Sequence, residues 1–136
     1  MKGPTVLLFS LLLVSCSHLQ MLPYITSSNP YKGREQEAAA LGKPLFVKHC
    51  VRCHGVSGMG DGKDLSVPLD KQIADLTDIS GEKPLSSLAA RIAVGKGDVM
   101  PSFQQVLSEE EIWQLANYIV SISVLPFSHN IPVGLE

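Results

Sequence analysis

The apolar positions of this 136-residue chain fall into three regimes. The first is a near-continuous apolar run from Val6 to Val14 (VLLFSLLLV). It is far shorter than the ~20 residues a membrane span needs. The second, Ser17 to about Arg34, shows neither a helical nor a strand period and is broken by Pro23, Pro30 and Gly33. The third carries helical spacing. Ala38, Leu41, Leu45 and Phe46 predict a helix from about Glu35 into Cys50, with Pro44 either delaying its regular start to Lys43 or bending it. Leu88, Ala89 and Ile92 predict a second helix, capped by Ser86 or Ser87 and ended by Gly95 and Gly97.

The last helix carries the strongest signals. Ser108-Glu109-Glu110-Glu111 has the capping-box form, and three carboxylates complement the helix dipole. Ile112, Leu115, Ala116, Ile119 and Ile122 then form one apolar stripe with Trp113 and Tyr118 at its edges. Gly55 to Gly62 (GVSGMGDG) reads as a loop, Val67-Pro68-Leu69 interrupts any regular element, and Val124 to Glu136 reads as an irregular tail. With no strand pattern and no internal repeat, the expected fold class is all-α with about three main helices.

Composition changes this picture little. The formal net charge is −2 and no basic run is present, which argues against a nucleic-acid partner. A domain of this length is marginal without added apolar mass. The N-terminus says more. Lys2 followed by the short apolar run has the form of an export signal. Leu13-Val14-Ser15-Cys16 resembles the lipobox of bacterial lipoproteins, in which the cysteine is acylated and the signal is cut before it. The expected organisation is a signal peptide over 1–15, a lipidated Cys16 with a flexible tether over 16–34, for which a packed collar on the domain is the alternative, a folded domain over 35–125 and a tail over 126–136. Stable anchoring needs more than one acyl chain, which a multiply acylated cysteine supplies. The location expected is the bacterial cell envelope, with the domain held at a membrane on its periplasmic or outer side.

Chemistry concentrates in Cys50-Val51-Arg52-Cys53-His54. C-x-x-C followed at once by histidine reads as a covalent haem attachment site. Two thiols at that spacing can reach the two vinyl groups on one porphyrin edge, and the imidazole of His54 then lies under the iron. A zinc site needs two further ligands, and no second cysteine pair exists. A thioredoxin-like dithiol belongs in a βαβ pattern, which is absent. Met100, in the glycine loop Gly95 to Pro101, supplies a thioether that would complete a His/Met pair. Met59, five residues past His54, is the rival sulfur. Lys43, Lys48, Arg52 and Lys96 are candidates for a cationic ring around an exposed haem edge, which would favour acidic partners.

From about Ala38 to Ile122 the chain resembles the class I c-type cytochromes, through C-V-R-C-H-G at Cys50–Gly55 and G-D-V-M-P at Gly97–Pro101. Asp75-Leu76-Thr77 resembles a segment common in its small bacterial members. Gly42 and Phe46 on the first helix, with Leu115 and Tyr118 on the last, resemble the pairs that cross near the haem edge in that family. The resemblance implies a small cytochrome c fold wrapped around one haem c. Cys50 and Cys53 would form its thioethers, His54 would be the proximal ligand and Met100 the distal one. It also implies that a proline carbonyl after the motif accepts the other imidazole N–H. Pro68 is the candidate, preceded by Val67 where the family commonly has glycine. The function implied is one-electron transfer between a redox donor and an acceptor, with no independent catalysis. Two alternatives stand beside it: a fixed subunit of a larger respiratory complex, and a haem-based ligand sensor or peroxidase-like enzyme if Met100 does not reach the iron.

Overall fold

The computed structural model describes residues 22–63, 72–79 and 84–124. The signal region, Cys16, Pro68 and the tail over 126–136 lie outside these. Among the described residues there are five helices: α1 (Leu22–Thr26), α2 (Glu35–His49), α3 (Val51–His54), α4 (Leu85–Val94) and α5 (Glu109–Val124). Among the described residues there is no strand, only an isolated antiparallel bridge between Lys96 and Met100. No described helix is long and apolar enough to cross a membrane. The fold is all-α, with α2, α4 and α5 as its three main helices.

The largest helix contact joins α2 to α5. Ala38, Gly42 and Phe46, spaced by four, form the buried face of α2. Leu41 lies one position off that stripe and is exposed, against the expectation that it joins the core. At Gly42 the two backbones nearly touch. A Cβ there would fall 2.6 Å from the Gln114 carbonyl carbon and 2.9 Å from Tyr118 Cβ. Phe46 then stacks obliquely on Tyr118, with ring centroids 5.2 Å apart. Pro44 neither delays nor ends α2, which runs through it from Glu35 to His49. Proline removes one N–H from the helix ladder, and the packed Ala38–Gly42–Phe46 face outweighs that loss.

α5 starts as its sequence dictates. The Ser108 N–H donates to Glu111 Oε2 at 2.8 Å and the Glu111 N–H donates to Ser108 Oγ at 3.2 Å. These bonds, backbone first, hold the Glu111 carboxyl below the usual glutamate pKa. The box therefore stabilises α5 above the ordinary carboxylate range and is lost on acidification through that lowered pKa. Ser108→Ala is expected to cost about 1 kcal/mol in denaturant unfolding of the haem-loaded protein, while Glu111→Gln, which keeps an acceptor, costs less.

Two expectations need correction. α4 is preceded by extended Pro84 with no side-chain cap, and Ser86 and Ser87 lie within its first turn. Proline's fixed φ prepares a helix start without a hydroxyl. Residues 22–34 pack on the domain, as the collar alternative has it rather than the flexible tether. Tyr24 and Tyr31 are 6% and 4% exposed. Tyr24 covers Trp113, with centroids 6.1 Å apart, so Trp113 is 1% exposed rather than at the edge of the stripe.

Candidate functional site

α2 delivers Cys50 at its C-terminus, where the chain bends into the single turn α3. The Cys50 carbonyl accepts from the Cys53 and His54 N–H groups at 3.1 and 2.8 Å, which places both motif residues one turn on. The glycine loop folds back to close this turn. Gly60 N–H donates to the His54 carbonyl at 2.9 Å and Gly62 N–H to the Cys53 carbonyl at 3.1 Å. The carbonyls left over at the end of a helix are thereby satisfied without a side chain. Gly58 in turn accepts from the Leu76 N–H at 2.7 Å, drawing the 72–79 segment against the motif.

That segment brings Ala74 to the histidine. His54 Nδ1 lies 3.0 Å from the Ala74 carbonyl oxygen. A carbonyl can only accept, so Nδ1 carries the proton and Nε2 keeps its lone pair. Burial holds His54 below the usual histidine pKa, against a smaller opposing effect of the Ala74 bond. The ring is therefore neutral near pH 7 and ready to donate to a metal. The acceptor that faces Nδ1 is Ala74, immediately before Asp75-Leu76-Thr77, in the place for which Pro68 was the candidate. A backbone carbonyl of any residue serves this purpose, which is why a search for proline missed it.

Cys50 and His54 open into a cavity of about 1190 Å³, and Met100 lines the same cavity. Leu76, Ile79, Leu85, Leu88, Ile92 and Ile119 supply its apolar wall. Small-ligand pockets usually measure about 300–1,000 Å³, so this one accommodates a macrocycle. Arg91 and Lys96 also line it, as do Glu35 and Asp78. Burial, with the neighbouring Cys53 second, pushes the Cys50 thiol up to about 12. Such a thiol stays protonated at neutral pH and is set in apolar surroundings, unlike an activated nucleophile.

Met100 reaches the cavity from a tight hairpin. Lys96 N–H donates to the Met100 carbonyl at 2.8 Å and Met100 N–H returns to the Lys96 carbonyl at 3.2 Å. Gly95 turns the chain at φ 76°, and a Cβ there would fall 2.7 Å from the Pro101 carbonyl carbon. Glycine is therefore required both for its dihedral and for close approach. After the hairpin, Phe103 and Gln104 N–H groups and the Ser102 hydroxyl all bond the last carbonyls of α4, Ile92 and Ala93, at 2.7–3.2 Å.

The cavity thus gathers Cys50 and His54 from one stretch of sequence and Met100 from another. Cys53 is half-buried one turn beyond Cys50. Met59 is 42% exposed and does not line the cavity. His49 packs edge-on against Phe103. Lys43, Lys48 and Arg52 are exposed, and of the four candidate cations only Lys96 lines the cavity. Among the described residues no cluster of three or more His, Cys, Asp and Glu side chains could hold a metal on its own. An iron site here needs the porphyrin to complete it, which fits the residues present.

Residues 37–119 match the family model described as cytochrome c oxidase, cbb3-type, subunit III. The chain is 29% identical over 99 residues to the Cbb3-type cytochrome c oxidase subunit FixP of Bradyrhizobium diazoefficiens. That match covers 73% of this chain and 32% of the relative. It is 26% identical over 101 residues to cytochrome c550 of Pseudomonas aeruginosa, covering 71% of this chain and 66% of that one. It is 28% identical over 82 residues to cytochrome c6 of Bumilleriopsis filiformis, covering 60% and 88%. The chain therefore spans about a third of the first relative's length and just under two thirds of the second's. The family model covers more than half of the chain, over the helices that build the cavity, and the protein belongs to this cytochrome c family.

Proposed function

We propose that the chain is a one-electron carrier held at a membrane of the cell envelope, with a single His/Met-ligated haem c. The observation that carries this reading is the shared cavity. A neutral His54, its Nδ1–H engaged by Ala74, and a hairpin-held Met100 line one apolar space together with Cys50. The family's cofactor is covalently attached haem c, whose iron takes up and releases one electron.

The chain's own residues bind, orient and dry the group. Cys50 and Cys53 are the thioether donors. The Ala74 carbonyl fixes the orientation of the His54 ring and raises its basicity as a ligand. Met100 offers a soft, neutral sulfur from a hairpin closed by reciprocal backbone bonds with Lys96. The aliphatic wall lowers the local dielectric, which together with methionine ligation favours the less charged, reduced state. With His54 and Met100 both available to it, a bound haem iron would keep no position free for oxygen or peroxide, so the reading is electron transfer rather than catalysis. Redox protein donors and acceptors are the partners, and nucleic acid is not among them.

The test is a denaturing extraction of the protein produced in a host that matures c-type cytochromes. Haem that stays with the polypeptide, with a methionine-to-iron charge-transfer band in the oxidised native spectrum, supports the reading. Polypeptide at apo mass overturns it. Cys16 carries the membrane part of the proposal. Cys16→Ser is expected to release the haem domain from membranes or to stall its processing. Membrane retention with cleavage still after Ser15 would remove the lipid anchor from the account.

A second reading has its own support in the family description, an oxidase subunit. In it the domain is a fixed relay within a respiratory complex. Stoichiometric copurification with a membrane complex favours that role, and a monodisperse haem protein after mild extraction favours the mobile carrier.

A further inference from the structure

We propose that residues 22–33 form a strap that holds α4 in place, so that the closure of Met100 onto the iron depends on the strap's contacts with α5. The proposal rests on the His54/Met100 ligation above. The strap lies outside the residues matched by the family model, 37–119.

One side of the strap is fastened to α5 by side chains. Tyr31 Oη donates to Glu110 Oε1 at 2.7 Å and accepts from Gln114 Nε2 at 2.6 Å. The Asn29 and Asn117 amides bond reciprocally at 3.3 Å. Asn29 Oδ1 also accepts from the Tyr31 N–H at 3.0 Å, which sets the turn between the two anchors. Tyr24 lies over Trp113. These partners are 79–89 residues away in sequence, so the fastening is tertiary throughout.

The other side of the strap packs on α4. Ile25 and Asn29 line the same cavity as Leu88, Ile92 and Met100. The Met100 hairpin rides on the end of α4 through the bonds from residues 102–104 to Ile92 and Ala93. α5 is fixed against α2, whose end carries Cys50. α4 also packs directly on α5, and the strap adds a second link between the body that carries the attachment motif and the body that carries the distal sulfur. Loosening it gives α4 and its hairpin freedom to withdraw. Tyr24 and Tyr31, which do not line the cavity, act on the ligand only through α4 and are positioning residues, so Tyr31→Phe is the cleaner probe, whereas Asn29 also lines the cavity itself.

The quantity to read is the open fraction of the distal site. The apparent affinity of an exogenous ligand scales with that fraction. Carbon monoxide titration of the reduced haem-loaded protein measures it directly, with the midpoint potential and the methionine-to-iron band as companions. Asn29→Ala with Tyr31→Phe is expected to raise carbon monoxide affinity about tenfold and to lower the potential. Tyr31→Phe alone, which removes one hydroxyl and keeps the ring, gives a smaller change in the same direction. It serves if the double variant fails to load haem. Exposed Lys32→Ala leaves affinity and potential unchanged. A strap that merely stabilises the fold lowers the melting temperature and leaves carbon monoxide affinity at the wild-type value, and that result overturns the proposal alone. A wild-type protein with no methionine-to-iron band overturns the ligation reading, and the strap's role falls with it.

Discussion

Met100→Ala is expected to keep the haem covalently attached while lowering its midpoint potential by a sizeable share of the roughly 0.8 V that axial ligation spans. The substitution removes the sulfur and leaves its support in place. The hairpin around residue 100 is built from reciprocal backbone bonds between Lys96 and Met100, and alanine keeps both. The side chain is half-buried, so the loss in stability stays at or below about 2 kcal/mol, the lower end for methionine truncation in cores. The variant should bind carbon monoxide readily and lose the methionine-to-iron band, because the distal position is then unoccupied. Met59→Leu should do none of this, since Met59 is exposed and outside the cavity. The measurements are potentiometry and spectra of both variants against the unaltered protein. An unchanged potential and spectrum in Met100→Ala would take Met100 off the iron and reopen the reading as a ligand sensor or peroxidase-like enzyme.

The contrast between the two methionines shows what was legible in the sequence. Cys50, Cys53 and His54 announce themselves by spacing, because the porphyrin edge dictates it. Met100 is marked by two preceding glycines, Gly95 and Gly97, and a following proline, the signature of a loop shaped to present one residue. The capping box of α5 is likewise a local pattern with one structural solution, whereas the Gly42–Tyr118 crossing was legible only through the family resemblance. The strap left no such mark. Its contacts join Tyr31 to Glu110 and Asn29 to Asn117, single polar pairs far apart in the chain that create no period. The burial of Trp113 follows from the same contacts, because its cover, Tyr24, comes from that segment. The acceptor for His54 was hidden for a different reason. A main-chain carbonyl has no residue type, so only the path of the chain past Gly58 reveals that Ala74 supplies it. Pro44 shows the reverse case, a strong local signal overruled by packing.

Gly42→Ala separates those two kinds of influence by the sign of its effect. On helix propensity alone, alanine should stabilise α2 by about 1 kcal/mol. The packing demands the opposite. The new Cβ would sit 2.6 Å from a main-chain carbon of Gln114 and closer still to its oxygen, with Tyr118 Cβ, one turn further along the same helix, 2.9 Å away. Neither obstacle is the flexible end of a side chain, so α2 and α5 must move apart along their whole crossing. Overpacking of this kind costs typically ~1–3 kcal/mol, and a backbone obstacle places it at the upper end or above. The net expectation is a loss of about 2 kcal/mol and a melting temperature lower by roughly 5–10 °C for the haem-loaded protein. The loss should be accompanied by a lower yield of attached haem, because α2 ends at Cys50 and carries the motif with it. Ala40→Gly, on the exposed face of the same helix, isolates the propensity and should cost about 1 kcal/mol. A stabilised Gly42→Ala protein would mean that the helices do not approach this closely, and the crossing that sets the cavity would have to be redrawn.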